Sequence, residues 1–278
     1  MRNILIIFSV SCLVLSCRTS QTLVLTDSVV ITDSLFSRYL SEYRKHTVYL
    51  PKGFNSKKSY PVIFSTDGGS SITDKKSVFD SLINLKIINP VIFVASHANS
   101  KIADSTMQTT GDGKKVFLSY RNFEYINDYS SAVKDSVLAN RFKNHKSYFV
   151  REFIKQVEEK YRLKKKKSNR HFYGVSNGGG FGIHLLNSDP QLIGTYLCFS
   201  VFGGGIQTNK WDSKTNYPNL YLRYGSEEPS FLKDEAFILK EKYSDSKSFI
   251  DSDEFMGRHS NQYWEKEFTE IISRLFKD

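Results

Sequence analysis

The order of apolar and polar positions along the chain predicts strands and helices in alternation. The apolar runs in YPVIFSTDGG and PVIFVASH predict two strands buried on both faces, and residues 74–86 between them fit a helix. KHTVYLP, ahead of both, predicts a further strand. Such alternation is typical of an α/β domain, here a three-layer sandwich with a mostly parallel central sheet and helices on both faces.

The second half of the chain continues the alternation. KSYFVREFIKQVEEKYR predicts an amphipathic helix, because large apolar residues recur in it every four positions. The later pattern predicts strands at 170–175, in IGTYLCFS, in NLYLRYG and in KSFID, and helices to about Asn187, at 229–243 and at 260–276. Between His97 and about Ser131 polar and aromatic residues mix without a period, which is typical of a functional region inside a compact domain.

Size and charge narrow the class of protein. A chain of 278 residues that is 40% hydrophobic can bury one large α/β core. The formal net charge of +10 would suit nucleic acid, but the basic residues are scattered apart from one run, Lys164 to Lys167. No zinc-finger, RNP or helix-turn-helix pattern accompanies them, so we interpret the charge as a basic solvated surface and expect no nucleic-acid partner.

The first residues predict export from the cytoplasm. MRNILIIFSVSCLVLSC has Arg2 as a short positive region, then an apolar stretch too short to span a membrane, then small Ser16 before Cys17. This resembles a bacterial lipoprotein signal over residues 1–16, with a lipid on Cys17 that anchors the protein to a membrane of the cell envelope. An ordinary secretory signal is the alternative. We expect residues 17–43 to be a tether and residues 44–278 the folded domain.

The three cysteines fit this interpretation. If Cys12 leaves with the signal and Cys17 carries lipid, only Cys198 remains and no intrachain disulfide can form. Cys198 lies in the apolar run TYLCFS, where a buried small hydrophobic residue is expected rather than a reactive thiol.

The glycine-rich stretch RHFYGVSNGGGFGIHLL carries the main chemical signal. Gly174, Ser176 and Gly178 form G-x-S-x-G, the pattern of a nucleophile elbow, in which a strained turn between a strand and a helix exposes the serine. A phosphate-binding loop is excluded by spacing, since no Lys-Ser/Thr follows the last glycine and G-x-G-x-x-G is absent. A glycine-rich turn used only for packing stays possible.

Candidate partners for the serine follow in the order serine, acid, histidine. NLYLRYGSEEP places Glu227 and Glu228 at the end of a predicted strand, and His259 lies in a turn before the last predicted helix. A serine hydroxyl needs an imidazole to accept its proton, and the imidazole needs a carboxylate to fix its tautomer. One oxyanion donor in such a turn is the backbone N–H after the nucleophile, here Asn177.

These motifs together resemble the esterase D family of α/β hydrolases, which includes feruloyl, acetyl xylan and enterobactin esterases and mycolyltransferases. The resemblance covers residues 44–276 and rests on STDGG, FYGVSNGGGFG, YLRYGSEEP and MGRHSNQYW. It implies an α/β-hydrolase fold with Ser176 as nucleophile, His259 as general base and Glu228 as the acid, with Glu227 as the alternative. It also implies Gly69 as the second oxyanion donor.

The family resemblance also bears on substrate. In SYRNFEYIND the family places an arginine near the site, so Arg121 either binds an acidic or phenolic group of the substrate or holds the loop by pairing with Glu124 or Asp128. We expect a carbohydrate-linked acetyl or feruloyl-type ester; a siderophore esterase, an acyltransferase and a non-catalytic binding lipoprotein are the alternatives. No metal or other cofactor is expected, since no ligand cluster has the required spacing. The oligomeric state stays open.

Overall fold

The fold is built on a mostly parallel sheet of eight strands. The computed structural model describes residues 23–69, 72–109, 115–132 and 134–277. The described residues form ten strands, eight in this sheet and two in a hairpin. They are β1 (Val29–Ser37), β2 (Glu42–Leu50), β3 (Val62–Gly68), β4 (Ile92–His97), β5 (Ile102–Thr109), β6 (Lys115–Ser119), β7 (Arg170–Val175), β8 (Thr195–Phe199), β9 (Asn219–Gly225) and β10 (Ile250–Phe255). The large sheet has the order β1-β2-β4-β3-β7-β8-β9-β10, and β5 pairs with β6 in a separate hairpin.

Helices cover both faces of the large sheet. They are α1 (Ile72–Asn84), α2 (Tyr120–Tyr125), α3 (Asn127–Ala132), α4 (Ser136–Ala139), α5 (Arg141–Ser147), α6 (Ile154–Lys160), α7 (Asn177–Ser188), α8 (Ser230–Ser246) and α9 (Asn261–Leu275). A π-helical turn, Tyr148–Phe153, joins α5 to α6. One apolar core packs α5 to α8 on the sheet, and a second packs α1 and α9 on its other face. The predicted three-layer α/β fold is confirmed.

The folded domain begins earlier than the sequence predicts. The sequence predicts a tether over residues 17–43, but residues 29–37 form β1, which pairs antiparallel with β2 from Val29↔Leu50 to Ser37↔Glu42. That assignment is wrong because β1 is an edge strand that buries only Leu35 and Ser37, so its sequence lacks the apolar run of an inner strand. The predicted signal and Cys17 lie outside the described residues.

The irregular stretch after His97 is more ordered than its sequence suggests. It folds as the β5–β6 hairpin followed by three short helices, α2 to α4. A small apolar cluster of Leu118, Phe123 and Leu138 holds these elements together. Among the described residues, no helix is both long enough and apolar enough to cross a membrane.

The sheet order fixes one edge as the place for a ligand. The chain runs from β3 outward to β4 and then returns to β7 on the other side of β3, so the order reverses between β3 and β7. Open α/β sheets bind ligands at the carboxyl ends of strands beside such a reversal. The residues after β3 and β7 are Gly69 and Ser176.

Candidate active site

Ser176 occupies a strained turn between β7 and α7. Its φ of 53° and ψ of −126° lie in a region that non-glycine residues rarely adopt. The turn is possible because its two flanking glycines meet: a Cβ on Gly174 would lie 2.5 Å from the carbonyl oxygen of Gly178. The predicted elbow geometry is therefore present in the structure.

The other glycines of this stretch serve packing. A Cβ on Gly180 would lie 2.1 Å from the carbonyl oxygen of Phe202, and one on Gly182 would lie 2.3 Å from the ring of Phe172. These glycines let α7 lie close to β7 and to the loop after β8. The packing role that the sequence left open thus applies to part of the stretch, beside the elbow.

The structure brings Glu228 and His259 together. Nδ1 of His259 lies 3.0 Å from Oε1 of Glu228, whose side chain is fully buried, whereas Glu227 is exposed. Ser200 donates its hydroxyl to the same Oε1, and Trp264 donates its indole N–H to Ser200 Oγ at 2.7 Å. Because Nδ1 faces the carboxylate, Nε2 of His259 is the nitrogen left to accept a proton.

The serine hydroxyl lies apart from this pair. Ser176 Oγ donates to Oδ1 of Asn177 at 3.4 Å, and no hydrogen bond between Ser176 and His259 exists among the described residues. Catalytic hydrogen bonds are often long or absent before substrate binds. The backbone nevertheless places the groups at one edge, because Ser176 follows β7, Ser200 follows β8, and Glu228 and His259 follow β9 and β10.

The turn after β3 packs against the first turn of α7. Asp67 has a positive φ of 56°, and a Cβ on Gly178 would lie 2.9 Å from Asp67 Oδ2. Gly68 approaches β4 so closely that a Cβ there would lie 2.4 Å from the Ala95 carbonyl oxygen. Among the described residues, neither the N–H of Gly69 nor that of Asn177 has a hydrogen-bond acceptor. Both remain candidate oxyanion donors.

Arg121 binds this turn. Its Nε and a terminal nitrogen donate to the two carboxylate oxygens of Asp67, at 2.6 and 2.8 Å, and its guanidinium lies 5.0 Å from the ring centre of Tyr125. Burial lowers the pKa of Arg121, but the bonds and charge of Asp67 outweigh this and raise the pKa above its usual value. The contacts of Arg121 thus favour the alternative in which it holds a loop. Its partner is Asp67, which the sequence did not suggest.

The surroundings of Arg121 also differ from expectation. Glu124, one of the partners suggested from the sequence, instead accepts hydrogen bonds from Arg44 and Arg141 in a buried cluster. The ring of Phe123 is buried in the small apolar cluster with Leu118 and Leu138, and the ring of Tyr125 is buried in the core that packs α5 to α8 on the sheet. These two rings therefore serve packing, whereas the ring of Phe117 on the β5–β6 hairpin is exposed.

A cavity of about 200 Å³ lies beside the elbow. Asp67 and Gly68 from the turn after β3, and Val175 immediately before the serine, form part of its wall. Polar groups from α1 and α9 form another part: Lys75, Asn261 and Glu265. Lys75 is buried, pairs with Glu265 at 2.5 Å, and lies over the rings of Tyr173 and Phe268.

Sequence reasoning missed Ser200 and Asp67. Ser200 looks like any serine at the end of an apolar run, and its role depends on a contact 28 positions along the chain. Asp67 carried a signal, since it belongs to the DGG turn, but its partner Arg121 is 54 positions away.

His97 is bonded to Thr47 at 2.7 Å, as expected of a satisfied loop histidine. Burial raises the pKa of the Cys198 thiol, which makes it unreactive.

No group of His, Cys, Asp and Glu within the described ranges could hold a metal ion. The groups at the strand ends include the Ser176 hydroxyl, the His259 imidazole, the buried Glu228 carboxylate and the backbone N–H groups of Gly69 and Asn177. Those are the parts that acyl transfer through a serine requires.

Solved structures of similar fold include several ester hydrolases. One ferulic acid esterase aligns with a TM-score of 0.67 and 18% identity, over 90% of this chain and 98% of that one. A ferulic acid esterase from Anaeromyces mucronatus aligns at 0.63 and 16%, over 88% and 90%. An IroE-like serine hydrolase from Shewanella oneidensis aligns at 0.61 and 17%, over 89% and 80%. At these identities the likeness shows the fold.

Family membership comes from the sequence. No curated protein sequence matches the chain. The model of the Esterase family, described as "Putative esterase", matches residues 37–275, from the last residue of β1 to the last residue of α9. The chain therefore belongs to the Esterase family and is an enzyme that hydrolyses carboxylic esters.

Proposed function

We propose that Ser176, His259 and Glu228 hydrolyse a carboxylic ester through an acyl-enzyme intermediate. Ser176 Oγ attacks the carbonyl carbon while Nε2 of His259 takes the hydroxyl proton, and Glu228 stabilises the imidazolium that forms. The proton passes to the leaving alcohol as its C–O bond breaks. Water then attacks the acyl-serine, with the same imidazole as base, to release the acid and restore Ser176. The contact between His259 and Glu228 is the observation that carries this assignment.

The oxyanion would lie between the elbow and the turn after β3. The N–H of Asn177 is the first of α7, where the helix dipole favours negative charge. The N–H of Gly69 would supply the second bond. Donors fixed in this way before the reaction typically account for about 3 kcal/mol of barrier each.

For the substrate, we propose a carbohydrate that carries a small acyl group in ester linkage. The acyl group is either acetyl or hydroxycinnamoyl. The observation that supports this is the cavity beside the elbow, since about 200 Å³ with Lys75, Asn261 and Glu265 in its wall suits a short, polar-substituted acyl group. A long alkyl chain would place apolar carbons against these polar and charged groups, which is unfavourable. Ferulic acid esterases are also among the proteins of similar fold.

The test is kcat/KM for methyl ferulate, acetylated xylan, ferric enterobactin and a long-chain p-nitrophenyl ester, with Ser176→Ala as the matched blank. We expect the ferulate or the acetylated xylan to rank first and the long-chain ester last. Ser176→Ala should lose roughly a thousandfold or more in every reaction while its circular dichroism stays unchanged.

Other rankings would identify the alternatives. Highest activity on ferric enterobactin would make the protein a siderophore esterase, and highest activity on the long-chain ester would contradict the interpretation of the cavity. Ester formation from an added alcohol in excess of hydrolysis would indicate an acyltransferase. Wild-type rates equal to those of Ser176→Ala would indicate a binding protein.

A further inference from the structure

The amino ends of the strands carry a concentrated positive charge. The loop of residues 51–60 precedes β3, and the segment of residues 161–170 leads into β7. These two segments hold three and six basic residues respectively, nine together, and no acidic residue. Residues Val62 and Arg170 are paired neighbours in the sheet, so the two segments lie at the same edge. Asn169 also bonds to Ser59 at 3.4 Å, which joins the segments directly.

Most of these basic side chains are open to solvent. Lys57, Lys58 and Lys164 to Lys166 are exposed. Among the described residues, ion pairs with carboxylates involve two of the nine: Glu159 pairs with Lys165 at 3.3 Å, and Glu158 pairs with Arg170. The edge therefore has a net positive charge, and we call it the basic edge.

Apolar side chains are exposed at the same end of the sheet. Leu85 and Ile87, in the loop that leads into β4, are 67% and 39% exposed, and Phe249, just before β10, is 50% exposed. Leu23 and Val24 are 46% and 58% exposed, and they are bonded to the loop before β3 through Ser56 and Asn55. Basic and apolar side chains on one face are the combination that binds the interface of an anionic membrane.

The path of the chain agrees with this combination. The described structure starts at Leu23 on the basic edge, and Cys17, the candidate lipid-bearing residue, is six residues earlier. Six residues can span at most about 20 Å. A lipid on Cys17 would therefore keep this edge close to a bilayer.

We infer that the basic edge docks on an anionic phospholipid membrane, with the catalytic edge turned away from it. The elbow lies at the opposite ends of the same strands, separated by the six residues of β7, or about 20 Å. The inference does not depend on the proposed esterase substrate or on the catalytic roles. It implies that the active site receives its substrate from the aqueous side.

The test uses residues 23–278, so that a lipid on Cys17 cannot contribute. We expect this part to fold by itself, because every strand and apolar cluster that the structure describes lies within it. Its sedimentation is measured with phosphatidylcholine vesicles that contain or lack phosphatidylglycerol. We expect binding only to the anionic vesicles, with loss of binding in high salt.

Two variants with the same change in charge locate the surface. Lys164→Glu/Lys165→Glu/Lys166→Glu should weaken vesicle binding roughly tenfold or more. The control Lys101→Glu/Lys115→Glu/Lys143→Glu alters exposed lysines of the β5–β6 hairpin, its preceding loop and α5, and should bind more tightly than the first variant. A further variant, Leu85→Ser/Ile87→Ser, should weaken binding without changing its dependence on salt.

Several results would overturn the inference. Equal binding to both kinds of vesicle would show that charge does not drive binding. An equal loss of binding in the two lysine variants would show that binding depends on the net charge of the protein and not on the basic edge. Binding to heparin without binding to anionic vesicles would assign the basic edge to a soluble polyanion.

Discussion

At the scale of single residues, the carboxylate of Glu228 concentrates its contacts on one oxygen. His259 Nδ1 and the Ser200 hydroxyl both meet Oε1, while Oε2 is buried without a hydrogen-bond partner among the described residues. The negative charge therefore has the imidazole as its main compensating group once His259 is protonated. This arrangement makes Glu228 a stronger candidate for the acid than the exposed Glu227.

We expect Glu228→Gln to lower kcat roughly a thousandfold, because the amide can neither fix the tautomer of His259 nor stabilise its charge. Glu227→Gln is the matched control and should stay within about twofold of the wild type. Steady-state kinetics on any accepted ester decides between them. The reverse order would assign the acid to Glu227, and two small effects would indicate a Ser–His dyad.

The contact between Arg121 and Asp67 leads to a second prediction at the scale of residues. If Arg121 positions the turn that carries Gly69, then Arg121→Ala and Asp67→Asn should each lower kcat roughly tenfold or more with little change in KM. The double variant should be no worse than either single one, since both remove the same contact. Arg121→Lys should recover part of the loss, because lysine keeps the charge without the fork.

A boronic acid inhibitor adds a direct readout of the oxyanion site. Its affinity should fall in Arg121→Ala along with kcat, whereas substrate KM should not move. A rise in KM confined to aromatic or acidic substrates, with kcat unchanged, would instead show that Arg121 binds the substrate.

At the scale of helices and strands, the sequence predicted the elements whose apolar pattern is strong and missed those without one. The inner strands β3, β4, β7 and β8 are buried on both faces, so their sequences are continuous apolar runs. β1 lies at an edge, and β5 and β6 form a two-stranded hairpin, so neither needs such a run. The order of serine, acid and histidine was readable for a similar reason, because each follows a recognisable strand. Contacts between distant segments, such as Ser200 with Glu228, left no local pattern.

The pair Lys75–Glu265 links α1 to α9 and yields a prediction at this scale. Lys75 is buried against Tyr173 and Phe268, so Glu265→Gln would remove the opposite charge from a buried cation. We expect a loss of about 3 kcal/mol in the free energy of unfolding, measured with urea. Lys75→Met/Glu265→Gln removes both charges and should lose less than the single variant. A larger loss in the double variant would contradict this account.

At the scale of the whole molecule, stability should depend on buried histidines. Burial lowers the pKa of His171 and His184 from 6.5 to about 4, and it also lowers the pKa of His145 well below 6.5. Above 6.5 both the folded and the unfolded chain carry these rings neutral. As the pH falls from 6.5 towards 4, only the unfolded chain takes up the protons, so the folded state loses stability over that window.

We expect His171 alone to account for about 2 kcal/mol of the loss between about pH 7.5 and about pH 5. Urea unfolding at both pH values measures the wild-type difference, and His171→Phe should reduce it by that amount while keeping a ring against Phe276. If the variant retains the full wild-type difference, His171 is not protonated on unfolding in the way its burial implies.

The contact of Trp264 with the catalytic groups has an optical consequence. Its indole donates to Ser200, and its ring lies 4.7 Å from that of His259, edge to face. A protonated imidazole accepts an electron from excited indole and so quenches its fluorescence. The chain has two tryptophans, so in Trp211→Phe the emission comes from Trp264 alone. We expect that emission to rise when His259→Gln is added to Trp211→Phe, which would make Trp264 a built-in fluorescent reporter of the general base.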